Sequence, residues 1–359
     1  MAGESMNRYG FEPDFENLKT VLKGGRGHRV PNAELVIDRE IKETFLRRSV
    51  ESIPEEIEFR YQAGYDYIWL SVGMIDPAGT VNKEFVPDSE DKHFAGKDER
   101  VWADEHGGVI REEKDLDSLS WPDAATLDYS PFCEAAAHLK PGMKVIAVLG
   151  KIFTAAWELL GFARFCERVY TQPEFIDALI ERIGTVQVEV FKRLLEREEV
   201  GAFWIPDDIA FRSGTLLSPE WLTERIFPYY RRMAEACRQA DKPIIYHSDG
   251  DLSMMVDTIV QTGFHALHPI EPESMDIYAL RRRVGKRICL VGNICVNTLS
   301  IGSQEEIREL VRDRIERLGY DGAYCVGSSN SVPNYVPFEN YRVMLETSAE
   351  FAVPPPVRG

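Results

Sequence analysis

Short apolar runs rich in β-branched residues alternate with longer stretches of helical periodicity along most of the chain. In one such stretch, 173–199, apolar residues recur at three- and four-residue spacing. In another, 303–319, Ser303 and Glu306 form the pattern of a capping box at the start of a helix. Eight of the apolar runs have the length and composition of buried strands: 32–37, 67–72, 144–150, 202–206, 243–247, 265–270, 288–293 and 323–327.

Strands that alternate with helices favour parallel pairing through crossover helices. Eight such units predict the α/β class and a single (βα)8 TIM-type barrel over residues 1–359. A doubly wound open sheet is the alternative, but that fold usually carries a glycine-rich turn after its first strand. The glycines at 24–27 precede the first predicted strand. The pattern therefore favours the barrel.

Three segments depart from the alternation. Residues 1–30 are predicted to form a polar N-terminal arm, and residues 352–359, which contain three consecutive prolines, an extended tail. Residues 76–143 are acidic and loop-rich, with candidate hairpin strands at 79–85 and 108–113. We interpret 76–143 as an insertion between strands two and three that covers the mouth of the barrel. A solvated loop without a catalytic part is the alternative.

Composition and charge narrow the class of protein. The chain has 44% hydrophobic and 28% charged residues, as in soluble globular proteins. Its net charge of −17 disfavours a nucleic-acid partner, because phosphate binding needs a basic surface. The six scattered cysteines fit a reducing compartment. With no pattern of a signal peptide and no long apolar run, we expect a cytoplasmic protein without a membrane span.

Polar residues follow most of the predicted strands. In a (βα)8 barrel the carboxyl ends of the strands meet at one mouth, where the chemistry takes place. A single aspartate there is often only a helix cap, and a single histidine is often a core residue. Polar groups at most of the eight ends predict a shared site instead. They are Asp207 and Asp208 after strand four, His247 and Asp249 after five, His268 and Glu271 after six, Asn293 and Cys295 after seven, and Asn330 after eight.

The residue types indicate proton transfer or metal binding. The candidates for catalysis are carboxylates and an imidazole: His247, Asp249, Asp207 and Glu271. Of these, His247 and Asp249 are also candidate metal ligands. The candidates for substrate binding are Trp204, Tyr246, Asn293, Cys295, Asn330 and Asp208. The aromatic members would suit a flat or apolar substrate if they line the mouth, and the alternative is that they form core.

Several of these segments resemble the uroporphyrinogen decarboxylase superfamily. The segments at 247–250, 263–294 and 322–341 are similar to its C-terminal half, and 17–35 and 207–233 to the rest of its barrel. The resemblance covers most of the chain apart from the acidic segment, and it implies a (βα)8 barrel. The true decarboxylases carry an arginine-bearing N-terminal segment of the form MRQAGRY, which is missing here. The chain therefore resembles the cobalamin-dependent methyltransferase branch more closely.

This resemblance implies a corrinoid-dependent methyltransferase of the O-demethylase component type. Such an enzyme moves a methyl group from a small donor, including methoxylated aromatics, to the cobalt of a corrinoid. Because the predicted single barrel leaves no second domain to carry a corrinoid, the cobalamin is expected on a separate corrinoid protein that acts as partner. A cofactor-free decarboxylase and a degenerate ligand-binding barrel are the alternatives. The sequence leaves the oligomeric state open, with a homodimer among the options.

The resemblance also raises the question of zinc. Thiol-methylating members hold zinc with an HxC motif after strand five and a cysteine after strand eight. These positions match His247, Asp249 and Asn330, so two of the three expected ligands are changed. Three interpretations stay open. They are an oxygen-rich metal site, zinc included, that adds Glu271 or Asp207; a metal-free site of proton donors; and a barrel that only binds a ligand.

Overall fold

The computed structural model describes residues 6–73, 75, 108–112 and 114–353. Within them, seven parallel strands form one curled sheet in the order β1-β2-β3-β6-β7-β8-β9. A short antiparallel hairpin, β4 with β5, follows β3. The strands are β1 (Tyr67–Ser71), β2 (Lys144–Val148), β3 (Val200–Pro206), β4 (Ala210–Phe211), β5 (Gly214–Thr215), β6 (Ile244–His247), β7 (Ala266–His268), β8 (Cys289–Val291) and β9 (Tyr324–Cys325).

Helices connect the strands. Ser303 and Glu306 form the predicted capping box, and that helix passes into a π-helical turn at Ile315–Gly319. No helix in the described part of the chain is long and apolar enough to cross a membrane. The helices are α1 (Phe15–Leu22), α2 (Arg39–Leu46), α3 (Ile53–Gln62), α4 (Asp115–Ser118), α5 (Ser130–His138), α6 (Phe153–Leu160), α7 (Phe162–Thr171), α8 (Pro173–Leu195), α9 (Pro219–Arg225), α10 (Phe227–Gln239), α11 (Val256–Thr262), α12 (Ile277–Val284), α13 (Val296–Ile301), α14 (Gln304–Arg314) and α15 (Phe338–Phe351).

The sheet has a helix-covered outer side and an inner side. Successive side chains of a strand point to opposite sides. On β3, Phe203 points outward, and its ring centroid lies 4.5 Å from that of Phe191 on α8. The next residue, Trp204, points inward and packs edge-on against His268, with ring centroids 4.9 Å apart. Alternate residues of each strand thus pack in the core between the sheet and the helices. The residues between them point to the inner side.

The first predicted strand, 32–37, is not a regular strand. Asn32 and Ile37 each form one isolated parallel bridge to the chain around and after β9. On the other side, the Tyr67 hydroxyl lies 2.8 Å from both the amide nitrogen and the carbonyl oxygen of Glu34. Side-chain hydrogen bonds replace a backbone ladder to β1 here. The seven other predicted strands are confirmed, most of them shorter than predicted.

The segment 76–143 differs from the predicted insertion. Residues 76–107, including the candidate strand at 79–85, lie outside the described residues, and no strand is present in the described part of 108–113. Helix α5 packs against α3 and buries Phe132 and Ala135 completely. The second half of the segment therefore provides a crossover helix between β1 and β2. An acidic, loop-rich composition masked this short helix.

The described parts of both terminal segments pack against the rest of the chain. In the expected N-terminal arm, α1 buries Phe15 and Leu18 in the core. Near the C-terminus, Ala352 is buried, and its carbonyl accepts a hydrogen bond of 2.8 Å from the Val30 amide. Residues 354–359 of the predicted tail lie outside the described residues.

Candidate metal-binding and catalytic site

Asp208, His247 and Asp249 converge at the carboxyl ends of β3 and β6. One ligand atom of each lies within 4.8 Å of the others. His247 Nε2 is 3.6 Å from an oxygen of Asp208 and 3.6 Å from Asp249 Oδ1. We call these three residues the HDD cluster. Two carboxylates thus face one imidazole nitrogen.

The loops after β3 and β6 hold the HDD cluster by backbone contacts. The amide of Asp249 donates to Asp208 Oδ1 at 2.9 Å. Gly250 has a φ of +87°, and a Cβ there would lie 2.6 Å from the Phe211 carbonyl. The next amide, of Asp251, donates to the same Phe211 oxygen at 2.9 Å. Glycine is needed at 250 because the hairpin β4–β5 passes so close and the backbone is left-handed.

The Asp249 carboxylate is only partly satisfied. Oδ2 accepts a 2.7 Å hydrogen bond from the Asn330 amide. Oδ1 is buried and has no hydrogen-bond partner among the described residues. Burial, together with the charges of Asp208 and Glu271, raises the pKa of Asp249 to about 6, although His247 opposes this rise. A buried carboxylate oxygen without a donor is costly unless a proton or a cation occupies it.

Behind the HDD cluster, His247 contacts a second histidine. Its Nδ1 lies 2.7 Å from Nδ1 of His268, and the two rings stack with centroids 4.9 Å apart. His268 is completely buried, and burial with the nearby His247 lowers its pKa well below the usual value. His268 is therefore neutral. Sequence reasoning noted its position but gave it no role.

The HDD cluster fits a divalent cation. An imidazole nitrogen with two carboxylate oxygens is a ligand set found for zinc, and three protein ligands leave a position open for substrate. The unpartnered Oδ1 of Asp249 is the observation that supports this fit, since a bound cation would compensate it. Asp208, His247 and Asp249 are the residues that would hold it.

A cleft of about 350 Å³ adjoins the HDD cluster. Asn330 lines it and donates to Asp249, while Glu271 lines it and accepts from the Gly250 amide at 2.8 Å. We call it the Glu271 cleft. No lysine or arginine is among its lining residues within the described part of the chain, which are Glu271, Glu273, Val296, Asn297, Ser329, Asn330, Ser331 and Tyr335.

Asp207 was predicted to be catalytic, and the structure places its side chain on the outer side of the sheet. One oxygen accepts from the Thr154 amide at 2.7 Å and the other from the Phe153 amide at 2.8 Å. The second oxygen also accepts from the Ile152 amide and from the Tyr230 hydroxyl. Four donors fill the hydrogen-bonding capacity of the carboxylate. It holds the start of α6 rather than facing the HDD cluster.

Two of the predicted substrate-binding aromatics lie away from the Glu271 cleft. Tyr246 is completely buried among the outer helices, with its ring centroid 4.9 Å from that of Phe264. Its hydroxyl donates to the Asp207 carbonyl at 3.0 Å. Trp204 is also completely buried, but on the inner side against His268. Both form core in this structure.

Of the predicted residues after β8, Asn293 has a structural role and Cys295 lies next to the Glu271 cleft. Asn293 is buried, donates to the Ile270 carbonyl and accepts from Arg314, each at 2.7 Å. These bonds fix a backbone position with φ of +73°. Cys295 donates to Glu273 of the Glu271 cleft at 3.3 Å. Of the residues predicted to bind substrate, Asn330, Cys295 and Asp208 thus lie at or beside the cleft and the HDD cluster.

Asp208 is the member of the possible ligand set that sequence reasoning placed differently. It was predicted to bind substrate, whereas Asp207 was considered a ligand. The alternation along β3 contains the signal that separates them. Trp204 and Asp208 share one parity and point inward, while Phe203 and Asp207 share the other. Choosing the inward parity from sequence requires knowing which side the helices cover.

Three comparisons bear on the identity of the chain. The family model for uroporphyrinogen decarboxylase (URO-D) matches residues 106–351. A uroporphyrinogen decarboxylase from Trichodesmium erythraeum (strain IMS101) is 25% identical over 218 residues, which are 57% of this chain. The chain spans 58% of the length of that curated relative.

A solved structure adds the fold. A methyltransferase from Methanosarcina mazei superposes with a TM-score of 0.69 at 14% identity, covering 95% of this chain and 99% of that one. At this identity the likeness confirms the α/β fold and no more. Together with the family match over residues 106–351, the parallel sheet and the convergent site at its carboxyl edge lead to one conclusion. The chain belongs to the uroporphyrinogen decarboxylase family.

Proposed function

We propose that the chain is a methyltransferase that moves a methyl group from a small methylated donor to the cobalt of a corrinoid. The corrinoid is carried by a separate protein, which acts as partner. A methoxylated aromatic is the donor class that we favour, and the enzyme would act as the demethylating component. The observation that carries the proposal is the unpartnered Oδ1 of Asp249 facing His247 Nε2.

The chemistry requires help for the leaving group. When a methyl group leaves an ether oxygen, the bonding electrons stay on that oxygen, which must be protonated or bound to a cation. Asp249, with a pKa raised by burial to about 6, can hold a proton close to neutral pH. His247 lies 3.6 Å from it and can share that proton. Both groups are placed to serve the donor oxygen.

A divalent cation held by Asp208, His247 and Asp249 would supply the same help by polarising the donor oxygen. Asn330 keeps the Asp249 carboxylate oriented through its 2.7 Å hydrogen bond. Glu271 fixes the loop at Gly250. Side chains with amide and hydroxyl groups line the Glu271 cleft and would orient the donor.

Decarboxylation is the second candidate, because the curated relative from Trichodesmium erythraeum bears that name. A polycarboxylate substrate would need cations in the site. The described lining of the Glu271 cleft contains two glutamates and no lysine or arginine. Asp208 and Asp249 add further negative charge next to it. The charge of the cleft therefore favours methyl transfer over the binding of an acidic tetrapyrrole.

The test is methyl transfer to free cob(I)alamin from a panel of methoxylated aromatics, followed by its absorbance. We expect turnover with at least one donor and loss of at least ~100-fold in His247→Gln. Asp251→Asn is the matched control, since Asp251 lies in the same loop and, among the described residues, its carboxylate accepts from the Ser253 amide alone. Release of carbon dioxide from an acidic tetrapyrrole without methyl transfer would contradict the proposal.

A further inference from the structure

The side chain of His268 contacts the site at His247. It is completely buried on β7, and its register partner on β6 is His247. The two Nδ1 atoms are 2.7 Å apart, so one of them carries a proton and the other accepts it. Trp204 packs perpendicular to the His268 ring. Within the described residues, His268 Nε2 has no hydrogen-bond partner.

We infer that His268 is the acceptor in this pair and that it positions His247 for the site. This inference rests on the proposed function, in which His247 Nε2 faces either a cation or the donor oxygen. The position of one proton between the two rings decides whether His247 can do either. His268 touches neither the Glu271 cleft nor the carboxylates of the HDD cluster in the hydrogen bonds of the described residues. It is therefore a positioning residue.

Both roles of His247 require the same neighbour. A neutral imidazole that offers its Nε2 lone pair to a cation keeps its one proton on Nδ1. An imidazolium that acts as an acid carries protons on both nitrogens. In each case His247 donates from Nδ1, and His268 must accept at its own Nδ1. A His268 protonated on Nε2 can accept from His247 in both states without any rearrangement, with its Nε2–H left without a hydrogen-bond partner among the described residues.

The opposite arrangement would disable the site. If His268 donated from Nδ1, the proton of a neutral His247 would sit on Nε2, between Asp208 and Asp249. His247 could then bind a cation only by losing its last proton, and it could not gain a second one at Nδ1. A His268 that donates from Nδ1 cannot accept there, so His247 would have no acceptor for a proton on its own Nδ1.

The tautomers can be observed directly. Long-range ¹H–¹⁵N spectra of the full chain, labelled on histidine, distinguish protonated from unprotonated ring nitrogens. We expect His268 to be protonated on Nε2 and unprotonated on Nδ1, both before and after addition of Zn²⁺. A His268 signal with the proton on Nδ1 in either state would overturn the inference.

Substitutions give the second readout, the affinity for Zn²⁺. His268→Phe keeps the shape of the ring and removes the acceptor, and we expect it to weaken binding by ~10–100-fold. His268→Asn restores an acceptor oxygen near the Nδ1 position and should recover part of the loss. The control is His265→Phe, because the His265 ring lies before the start of β7 and, within the described part of the chain, its hydrogen bond is the 3.2 Å one from the Ile244 amide. Binding unchanged in a folded His268→Phe would contradict the inference.

The two proposals fail differently. If the wild-type chain binds no Zn²⁺, the metal site of the proposed function fails, and the tautomer spectrum alone decides the role of His268. If Zn²⁺ binds normally but His268 carries its proton on Nδ1, the metal site stands and the inference fails. If His268→Phe does not fold, His268→Asn and the wild-type spectrum provide the decision.

Discussion

Asp207 and Asp249 follow neighbouring strands, and burial raises the pKa of both, yet their surroundings differ. Asp207 is completely buried on the outer side of the sheet, where three backbone amides and the Tyr230 hydroxyl donate to it. Asp249 faces the inner side, accepts from Asn330 and leaves Oδ1 without a partner in the described part of the chain. One carboxylate is fully occupied and the other is open.

The difference shows that burial alone does not identify a functional carboxylate. The fully occupied Asp207 stabilises the turn from β2 into α6, and it has no capacity left for a ligand. The open oxygen of Asp249 carries a cost of desolvation that no hydrogen bond from the described residues offsets, although His247 Nε2 lies 3.6 Å away. Counting donors around each carboxylate therefore separates a structural aspartate from a candidate ligand.

The same substitution at both positions tests this comparison most strongly. Asp207→Asn replaces an acceptor with an NH₂ group that faces amide donors, and we expect the free energy of unfolding to fall by ~3–4 kcal/mol. Asp249→Asn keeps an acceptor for Asn330 and removes an uncompensated charge, so stability should change by less than ~1 kcal/mol. Chemical denaturation followed by circular dichroism measures both. Equal losses would remove the distinction.

For activity, we expect the larger effect at Asp249. Asp249→Asn is expected to slow methyl transfer to cob(I)alamin by ~100-fold, about 2.7 kcal/mol, because Oδ1 no longer offers a negative charge or an exchangeable proton. Asp251→Asn, in the same loop, should retain the wild-type rate. A normal rate in a folded Asp249→Asn would place the chemistry elsewhere.

Glu34 provides an intermediate case, since it is completely buried and its carboxylate accepts two hydrogen bonds from Ser328. Burial raises its pKa to about 7. The folded state therefore binds the proton more tightly than the unfolded state, and stability should fall as pH rises from about 4.5 to about 7. We expect stability to fall by ~3 kcal/mol across that window and to stay constant above it. Unfolding curves across this range should lose that slope in Glu34→Gln, and an unchanged slope would contradict the assignment.

The smallest effect concerns the partner. Phe211 is 59% exposed at the hairpin that follows Asp208, with its ring against Phe162. If a corrinoid protein docks at this edge, Phe211→Ser should raise the KM for that protein by ~3–10-fold at constant kcat. The rate with free cobalamin should not change, because no docking is required. A matching loss with free cobalamin would indicate a role in the site itself.

Much of the fold could be predicted from apolar runs and helical periodicity. Seven strands lie where predicted, and the capping box at Ser303 begins α14. The segment 32–37 was predicted as a strand because its composition is typical of strands. On the side that faces β1, its backbone forms hydrogen bonds with side chains instead. The Tyr67 hydroxyl and Arg60 both donate to the Glu34 carbonyl, Arg60 at 3.0 Å. Such partners are distant in sequence, so local patterns do not contain them.

The candidate site was predicted less completely. His247 and Asp249 came from their place at a strand end, and the structure brings them together. Asp207 and Tyr246 lie on the outer side, where the strand alternation places them once the helix-covered side is known. The contact between His247 and His268 depends on the register of β6 with β7, which no local pattern gives. The residue types indicated proton transfer or metal binding. Which of the candidate side chains lie together depends on the strand register.

The most direct test of the account is calorimetric titration of the metal-free chain with Zn²⁺. If Asp208, His247 and the open oxygen of Asp249 form a ligand set, the wild-type chain binds one equivalent. Asp249→Asn then loses that binding, and Asp251→Asn retains it. Absence of saturable binding in the wild-type chain, or equal binding in Asp249→Asn, would contradict the central claim that the open carboxylate marks the functional site.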